Sequence, residues 1–460
     1  MLVESIKQFF PVLILLFAVW VVLSRLPKVE LGHSKAFQNR RLLNWLPLGL
    51  TYAFLYMARY NLTVSKNAFG DLMTNADFGT IFGVGTIVYG FAFVINGPLT
   101  DKMGGRKAIL IAAVGSALAN FGMGVLTYLG HTSNLVLSFS ILYGLNMYFQ
   151  SFGAVAIVKV NASWFHLRER GTFGGIFGIL ISLGLYFAYD WGAMITKNFS
   201  LPMVFFIPTL ILIVFFMISY ATVRDTPSEA GFEDFDTADV SHEKEGEKLG
   251  IVHIAKRMFS HKVIVIISLI EFCSGFLRHA IMNEYLIFSK QTGVIENIVA
   301  KNWGLLLCCA GILGGVFAGT ISDKVFQSRR GPVSAVLYGI MLLGSIAMVF
   351  MLQSPYLGWL MVFMSMAIIG VHGMLSGTAS MDFGGKKNVG TAVGIIDGMV
   401  YLGAAFQSFI YGSVLPNGDA AAVQSNWISW PVVMVPISLM GFLLAMKIWN
   451  AQARSSHGGH

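Results

Sequence analysis

Twelve apolar runs, each about the length a helix needs to cross a lipid bilayer, dominate this chain. They fall near 42–65, 77–99, 107–129, 133–160, 171–195, 201–222, 263–288, 302–321, 332–352, 355–379, 389–414 and 428–449. A hydrocarbon core takes roughly 20 apolar residues per helical crossing, and every backbone polar group inside it must be bonded internally. The runs are unbroken. A membrane β-barrel would instead alternate in polarity over segments of about ten residues. The expected fold is therefore all-α and membrane-spanning. Composition agrees: 55% of the 460 residues are hydrophobic and 12% are charged, against roughly a quarter charged in soluble domains. A soluble enzyme, a disordered chain and a nucleic-acid-binding domain are excluded. The 50 glycines suit close helix packing in lipid. Cys273, Cys308 and Cys309 lie inside apolar runs without metal-ligand spacing and are read as packing residues.

The net charge of +8 is a matter of topology. Arg25, Lys28, Lys35, Arg40 and Arg41 precede the first of the twelve runs. Lys102, Arg106 and Lys107 follow the second, Arg168 and Arg170 the fourth, and Lys256, Arg257 and Lys262 precede the seventh. Lys324, Arg329 and Arg330 follow the eighth, and Lys386 and Lys387 the tenth. The opposite loops carry little beyond Lys66, Lys197, Lys290 and Lys301. By the positive-inside rule both ends of the twelve-helix body are expected to be cytoplasmic. A shorter apolar run, Phe9 to Ser24, lacks a small-residue cleavage site and is followed by Arg25-Leu26-Pro27-Lys28. It reads as an uncleaved extra helix or interfacial anchor that places Met1 outside.

The longest polar stretch, 223–261, is rich in acidic residues from Asp225 to Glu247 and cannot enter a bilayer. It divides the chain into an N-terminal segment 1–41, a six-helix bundle 42–222, a cytoplasmic linker 223–261, a second bundle 262–450 and a tail 451–460. The bundles repeat. Gly97-Pro-Leu-Thr-Asp101-Lys102 matches Gly319-Thr-Ile-Ser-Asp323-Lys324, and Gly171-Thr172-Phe-Gly-Gly175-Ile176 matches Gly390-Thr391-Ala-Val-Gly394-Ile395. Arg59 in the first span matches Arg278 in the seventh at nearly the same offset. Parallel six-helix repeats about an axis along the membrane normal place a substrate site between the halves near midplane.

A guanidinium in mid-span costs about 2.5 kcal/mol or more, so it usually faces a cavity and does a task. Arg59 shares a helix face with Tyr52, Tyr56 and Thr63. Arg278 follows Glu271 by two turns. As symmetry mates the two arginines should converge across the pseudo-axis and, repelling one another, call for an anion. Planar forks suit a phosphate dianion. The alternative is that a carboxylate neutralises each, Glu271 in the case of Arg278.

Gly97-x-x-x-Asp101-Lys102-x-Gly104-Gly105-Arg106-Lys107 resembles the loop signature of the major facilitator superfamily, and it recurs from Gly319 to Arg330. The resemblance implies two six-helix bundles related by a pseudo-two-fold axis. It makes Asp101, Arg106, Asp323 and Arg330 conformational latch residues. Phe149-Gln150-Ser151-x-Gly153, Val158-Lys159, Trp164-Phe165, Glu169-Arg170-Gly171-Thr172 and Lys386-Lys387-x-x-Gly390-Thr391-Ala392-x-Gly394 resemble the organophosphate:phosphate antiporter family, which includes glycerol-3-phosphate and hexose-phosphate transporters. Arg59-x-Asn61 and Phe276-Leu277-Arg278 fit its pattern. Three positions depart from it: Ile181 stands where a histidine is common, Tyr60 where a lysine often follows the first arginine, and Phe93 where one branch has a lysine. The site keeps its arginines and loses accessory cations, so simple glycerol-phosphate specificity is not expected.

The expected substrate-binding set is Arg59, Arg278, Tyr56, Tyr60, Lys159, Glu271, Asn146, Gln150 and Tyr401. Lys159 is weighed against snorkelling at a helix end. Glu271 is either a proton carrier or the partner of Arg278. Asp397 shares a face with Tyr401, and His279 and His372 are read as hydrogen-bonded packing residues. His457-Gly-Gly-His460 is too short for a metal site. The expectation is a monomeric secondary transporter without cofactor or metal. It would act in a bacterial inner membrane on a small anionic substrate, an organic phosphate exchanged for inorganic phosphate, with only the lipid bilayer as a further partner. Proton-coupled transport of another organic anion, through Glu271 or Asp397, and a transporter-like sensor of sugar phosphates are the alternatives.

Overall fold

The computed structural model describes residues 32–130, 134–166, 170–237, 262–326 and 330–450, with the side chains of 170–177, 296, 319–320, 322–324, 330 and 377–392 outside the description. The extra helix at 9–24, most of the acidic linker and His457–His460 lie outside the described residues. The first half runs α1 (Lys35–Lys66), α2 (Asn75–Met103), α3 (Gly105–Tyr128), α4 (Leu135–Trp164), α5 (Arg170–Tyr186) and α6 (Met203–Thr222). The second runs α7 (Lys262–Gln291), α8 (Trp303–Lys324), α9 (Arg330–Met351), α10 (Leu357–Ser376), α11 (Val393–Val414) and α12 (Ser429–Lys447). The α5 helix continues through a π-turn, Phe187–Trp191, into a short helix, Gly192–Asn198.

Local chemistry sets these boundaries. The first span begins earlier than its apolar run, because the Ser34 side chain accepts the Phe37 N–H at 3.2 Å. Arg40 and Arg41 are thereby helical rather than part of a connector. Arg40 donates to the Thr222 carbonyl at 2.8 Å, tying the start of α1 to the end of α6, while Arg41 stacks over Phe165 beyond α4. Thr74 and Asp77 form a reciprocal cap on α2. The sequence places a break between the tenth and eleventh runs; the backbone instead stays helical from Leu357 to Val414. The Ser376 hydroxyl nevertheless donates to the Asp397 carboxylate, whereas a straight helix would hold residues that far apart by about 30 Å. The chain therefore doubles back between α10 and α11.

Among the described residues, ten helices are long and apolar enough to cross a bilayer on composition alone; α1 is not among them, and the apolar part of α8, Trp303–Ala318, is shorter. The deficit of α1 is explained by burial. Tyr52, Tyr56, Arg59, Tyr60, Asn61 and Thr63 are all buried in protein rather than facing lipid.

Helix α7 packs on α11 through two reciprocal glycine contacts. A side chain on Gly275 would run into the Val400 carbonyl, and one on Gly403 into that of Phe272. Backbone cannot swing aside as a side-chain tip can, so this pairing admits only glycine. Gly275→Leu is expected to separate the helices and cost more than the 1–3 kcal/mol of ordinary overpacking. Fluorescence-detected size exclusion should show loss of the monodisperse peak; a retained peak with unchanged melting temperature contradicts this packing.

Candidate functional site

The site is built around Arg59, which is fully buried. Its Nε donates to Gln150 Oε1 at 2.9 Å, Nη1 to the Tyr401 hydroxyl at 2.7 Å and Nη2 to the Tyr89 hydroxyl. The guanidinium carbon lies 4.6 Å from the Tyr56 ring centroid and 4.5 Å from that of Tyr89. Desolvated cation–π contacts of this kind contribute about 2 kcal/mol. Among the described residues, none of these partners is a carboxylate. Three of five N–H donors are engaged, and the charge has no counter-ion in contact.

Three helices aim this cage. Gln150 on α4 is held by its own donors, to Ser116 Oγ at 3.1 Å and Asn146 Oδ1 at 3.0 Å. Asn146 donates to the Ala58 carbonyl at 2.9 Å. The Tyr143 hydroxyl donates to the Arg59 carbonyl at 3.2 Å. Asn146 thus supports the cage from behind instead of lining it, which corrects its place in the expected binding set. Tyr401 comes from α11, across the pseudo-axis, and stacks on Phe93 at 5.7 Å and 17°. Phe93 is an aromatic wall. Ile181 is a partly buried packing residue.

Arg278 is buried at 3% exposure, within electrostatic reach of Tyr401, Tyr60, Tyr56 and Arg59. The two guanidinium groups do share one region, as their symmetry implies. Next to it His279 Nδ1 donates to the Gly275 carbonyl at 2.9 Å. That leaves Nε2 to accept from the Tyr60 hydroxyl at 3.3 Å. Glu271 does not ion-pair with Arg278 directly. Its Oε2 accepts from His372 Nδ1 at 3.0 Å, which corrects the neutralising pair allowed for Arg278.

Lys159 also departs from expectation. Its ammonium pairs with Asp101 Oδ1 at 2.9 Å, with both side chains partly exposed. It belongs to the α2–α3 end of the bundle and to the loop motif, not to the arginine cavity. Asp101 on α2 thus has one partner within the first half, Lys159 on α4. Arg106 is engaged elsewhere: its backbone N–H donates to Asp225 Oδ1 at 2.7 Å and its guanidinium to the Tyr220 carbonyl at 2.8 Å. Asp225 thereby caps α3. Gly104, at φ 89°, lets that carboxylate approach where a side chain would collide with it. Burial pushes the Asp225 carboxyl above its usual range, against the pull of the Arg106 N–H. The side chains of Asp323 and Arg330 lie outside the described residues.

On the α1–α2 side a band of hydrogen bonds closes the halves over the cavity. The Asp190 carboxylate, in the π-turn, accepts the Gly304 and Leu305 N–H groups at 2.8 Å each. The Tyr189 hydroxyl donates to Asn283 Oδ1 at 2.9 Å. Asn75 donates to the Pro416 carbonyl at 2.6 Å and exchanges hydrogen bonds with Gln291. Gln407 donates to Glu284 at 3.0 Å within the second half. Tyr89 and Asp190 are absent from the expected set. Tyr89 was detectable, because it precedes Phe93 by one turn on the same face of α2. An open groove between α2 and α4, lined by Val84, Val88, Ile141 and Leu145, is apolar and holds none of these residues.

Comparison with known proteins agrees with this architecture. The family model of the Major Facilitator Superfamily matches residues 48–408. A probable hexose phosphate transport protein of Chlamydia trachomatis is 24% identical over 454 residues, spanning 92% of this chain and 94% of that protein. A glycerol-3-phosphate transporter of Bacillus subtilis is 24% identical over 463 residues, spanning 94% and 98%. Among solved structures, a bacterial homologue of the human lysosomal transporter Spinster superposes with a TM-score of 0.68 at 14% identity. It covers 92% of this chain and all of that one, a likeness of fold.

Proposed function

The chain belongs to the Major Facilitator Superfamily, and we propose that it carries a phosphorylated organic anion by alternating access, in exchange for inorganic phosphate. It is a multi-pass integral membrane transporter related to sugar-phosphate and glycerol-3-phosphate carriers, and not an enzyme. The single observation behind the proposed substrate is Arg59: a buried cation whose contacts are all neutral, facing a second buried arginine. Two such charges in a low-dielectric cavity repel each other, and a dianion between them relieves that repulsion. The substrates for which those relatives are named share a phosphoryl group, the part that two guanidinium forks recognise. Tyr56, Tyr60, Tyr89, Phe93 and Tyr401 surround the arginines with rings, and these favour a substrate with a larger apolar or ring portion.

In this reading the closed α1–α2 side is the outer one, and the membrane is a bacterial inner membrane. An empty cavity resists closing around two like charges, so the halves exchange sides readily only when an anion is bound. The test is uptake of radiolabelled phosphate by proteoliposomes with and without internal phosphate. Uptake is expected to require internal phosphate. Equal uptake in its absence refutes obligatory exchange, and saturable phosphate binding without any flux favours a sensor.

A further inference from the structure

One face of α7 presents Ser268, Glu271, Ser274 and Arg278 on successive turns. All four are buried. Ser268 Oγ and Arg278 Nε have no hydrogen-bond partner, and Glu271 Oε1 and Ser274 Oγ have none but each other. A single buried orphan costs about 1–3 kcal/mol. Along one stripe, leading to the arginine pair, these under-bonded groups form a hydrophilic track. Across from it stand His372, bonded to Glu271 Oε2 at 3.0 Å, and Asp397, which accepts the Ser376 hydroxyl. Asp397 lies within electrostatic reach of His372, Glu271 and Arg278.

The charges of the described residues around the arginine pair can be counted. Arg59 and Arg278 stay cationic under all conditions. If Glu271 and Asp397 are both ionised, the four groups sum to zero and nothing electrostatic draws in a dianion. If both carry protons, the sum matches a dianion in size and opposes it in sign. We propose that Glu271, Asp397 and His372 form a proton-binding site that loads together with the anion held by the arginine pair, so that protons cross with the substrate. The proposal rests on the anion-binding reading of that pair. Each proton goes from water to a carboxylate oxygen, with the His372 imidazole as relay, and leaves by the same route when the cavity faces the other side. Histidine in contact with Glu271 favours a proton over an alkali cation, which takes oxygen ligands. Among the described residues, the other titratable or charged groups within electrostatic reach of the cluster are Arg278, His279 and Cys273 on α7, Tyr338 on α9 and Tyr89 on α2, and Arg278 is in turn within reach of Tyr401, Arg59, Tyr56 and Tyr60.

Infrared difference spectra of the full-length protein in lipid nanodiscs test this directly. Acidification without phosphate, between pH about 9 and about 5, is expected to raise a carbonyl band of protonated carboxyl. The band should be reduced in Glu271→Gln and in Asp397→Asn, two substitutions of nearly equal shape, and reduced furthest in the double variant. Adding inorganic phosphate at fixed pH should enlarge the band in the wild type. A wild type with no titrating band, or a band of full wild-type size in both variants, overturns the proton site. So does a band abolished by sodium ions at constant pH, which assigns the site to the cation. A titrating band that phosphate leaves unchanged overturns the coupling. The anion reading is judged separately, by whether phosphate raises the wild-type melting temperature at any pH.

Discussion

Arg59→Ala is expected to abolish measurable binding of inorganic phosphate and, with it, exchange. Removing one side of a buried, hydrogen-bonded charge contact costs about 2–5 kcal/mol, which at 1.4 kcal/mol per tenfold weakens affinity by about 30-fold to several thousand-fold. The variant also leaves Gln150, Tyr89 and Tyr401 without the donor they share, so some loss of ligand-free stability is expected. Arg59→Lys separates the two effects. It keeps the charge but loses the fork that reaches Gln150, Tyr89 and Tyr401 at once, and an ammonium cannot hold phosphate bidentately. Binding is expected to fall in both variants, the melting temperature less in the lysine one. Calorimetric titration of purified protein with phosphate, alongside Arg278→Ala, decides the matter. Wild-type affinity in either Arg59 variant would mean that the guanidinium is structural and the substrate sits elsewhere.

Much of this arrangement was legible in the sequence because the membrane makes polarity expensive. A lone Arg59 in an apolar run must have a purpose, and its repeat-mate Arg278 says where the purpose lies. The twelve spans followed from length and hydropathy, though α1 would have failed a composition test by itself. Its tyrosines and arginine are buried by neighbours that only the fold supplies. Of the two places weighed for Lys159, the substrate site and a helix end, the structure gives the helix end, and its partner Asp101 was not legible because it lies on another helix. Glu271 was paired with Arg278 by helical spacing, and the packing of α10 gave it His372 instead. Asn146 and Gln150 are one turn apart and looked equivalent. Only Gln150 reaches Arg59, because Asn146 is taken up by Ala58 and Ser116.

The residue least visible in sequence carries the second large effect. Asp190 sits in a π-turn, where the extra residue rotates it out of the α-helical register. From there it caps the first turn of α8, across the boundary between the halves. No motif marks it, since its partners are backbone N–H groups that any residue provides. Those groups lie at the positive end of a helix, where a carboxylate is worth most. Asp190→Ala leaves both N–H groups unbonded in the state closed on the α1–α2 side and solvated when that side opens. At about 1–3 kcal/mol for each orphaned donor, the equilibrium should move by about 30-fold or more toward the opposite-facing state. Spin labels at Asn198 and Ile298, exposed positions on either side of the contact, are expected to report a longer distance population in Asp190→Ala. Asp190→Asn, which keeps one acceptor oxygen, should fall between the alanine variant and wild type. Asp190→Ala should also lose much of its transport, because a carrier held on one side cannot cycle, yet keep phosphate binding, since Arg59 and Arg278 are untouched. An unchanged distance distribution would show that the closure is held by Tyr189, Asn283 and Asn75 without it.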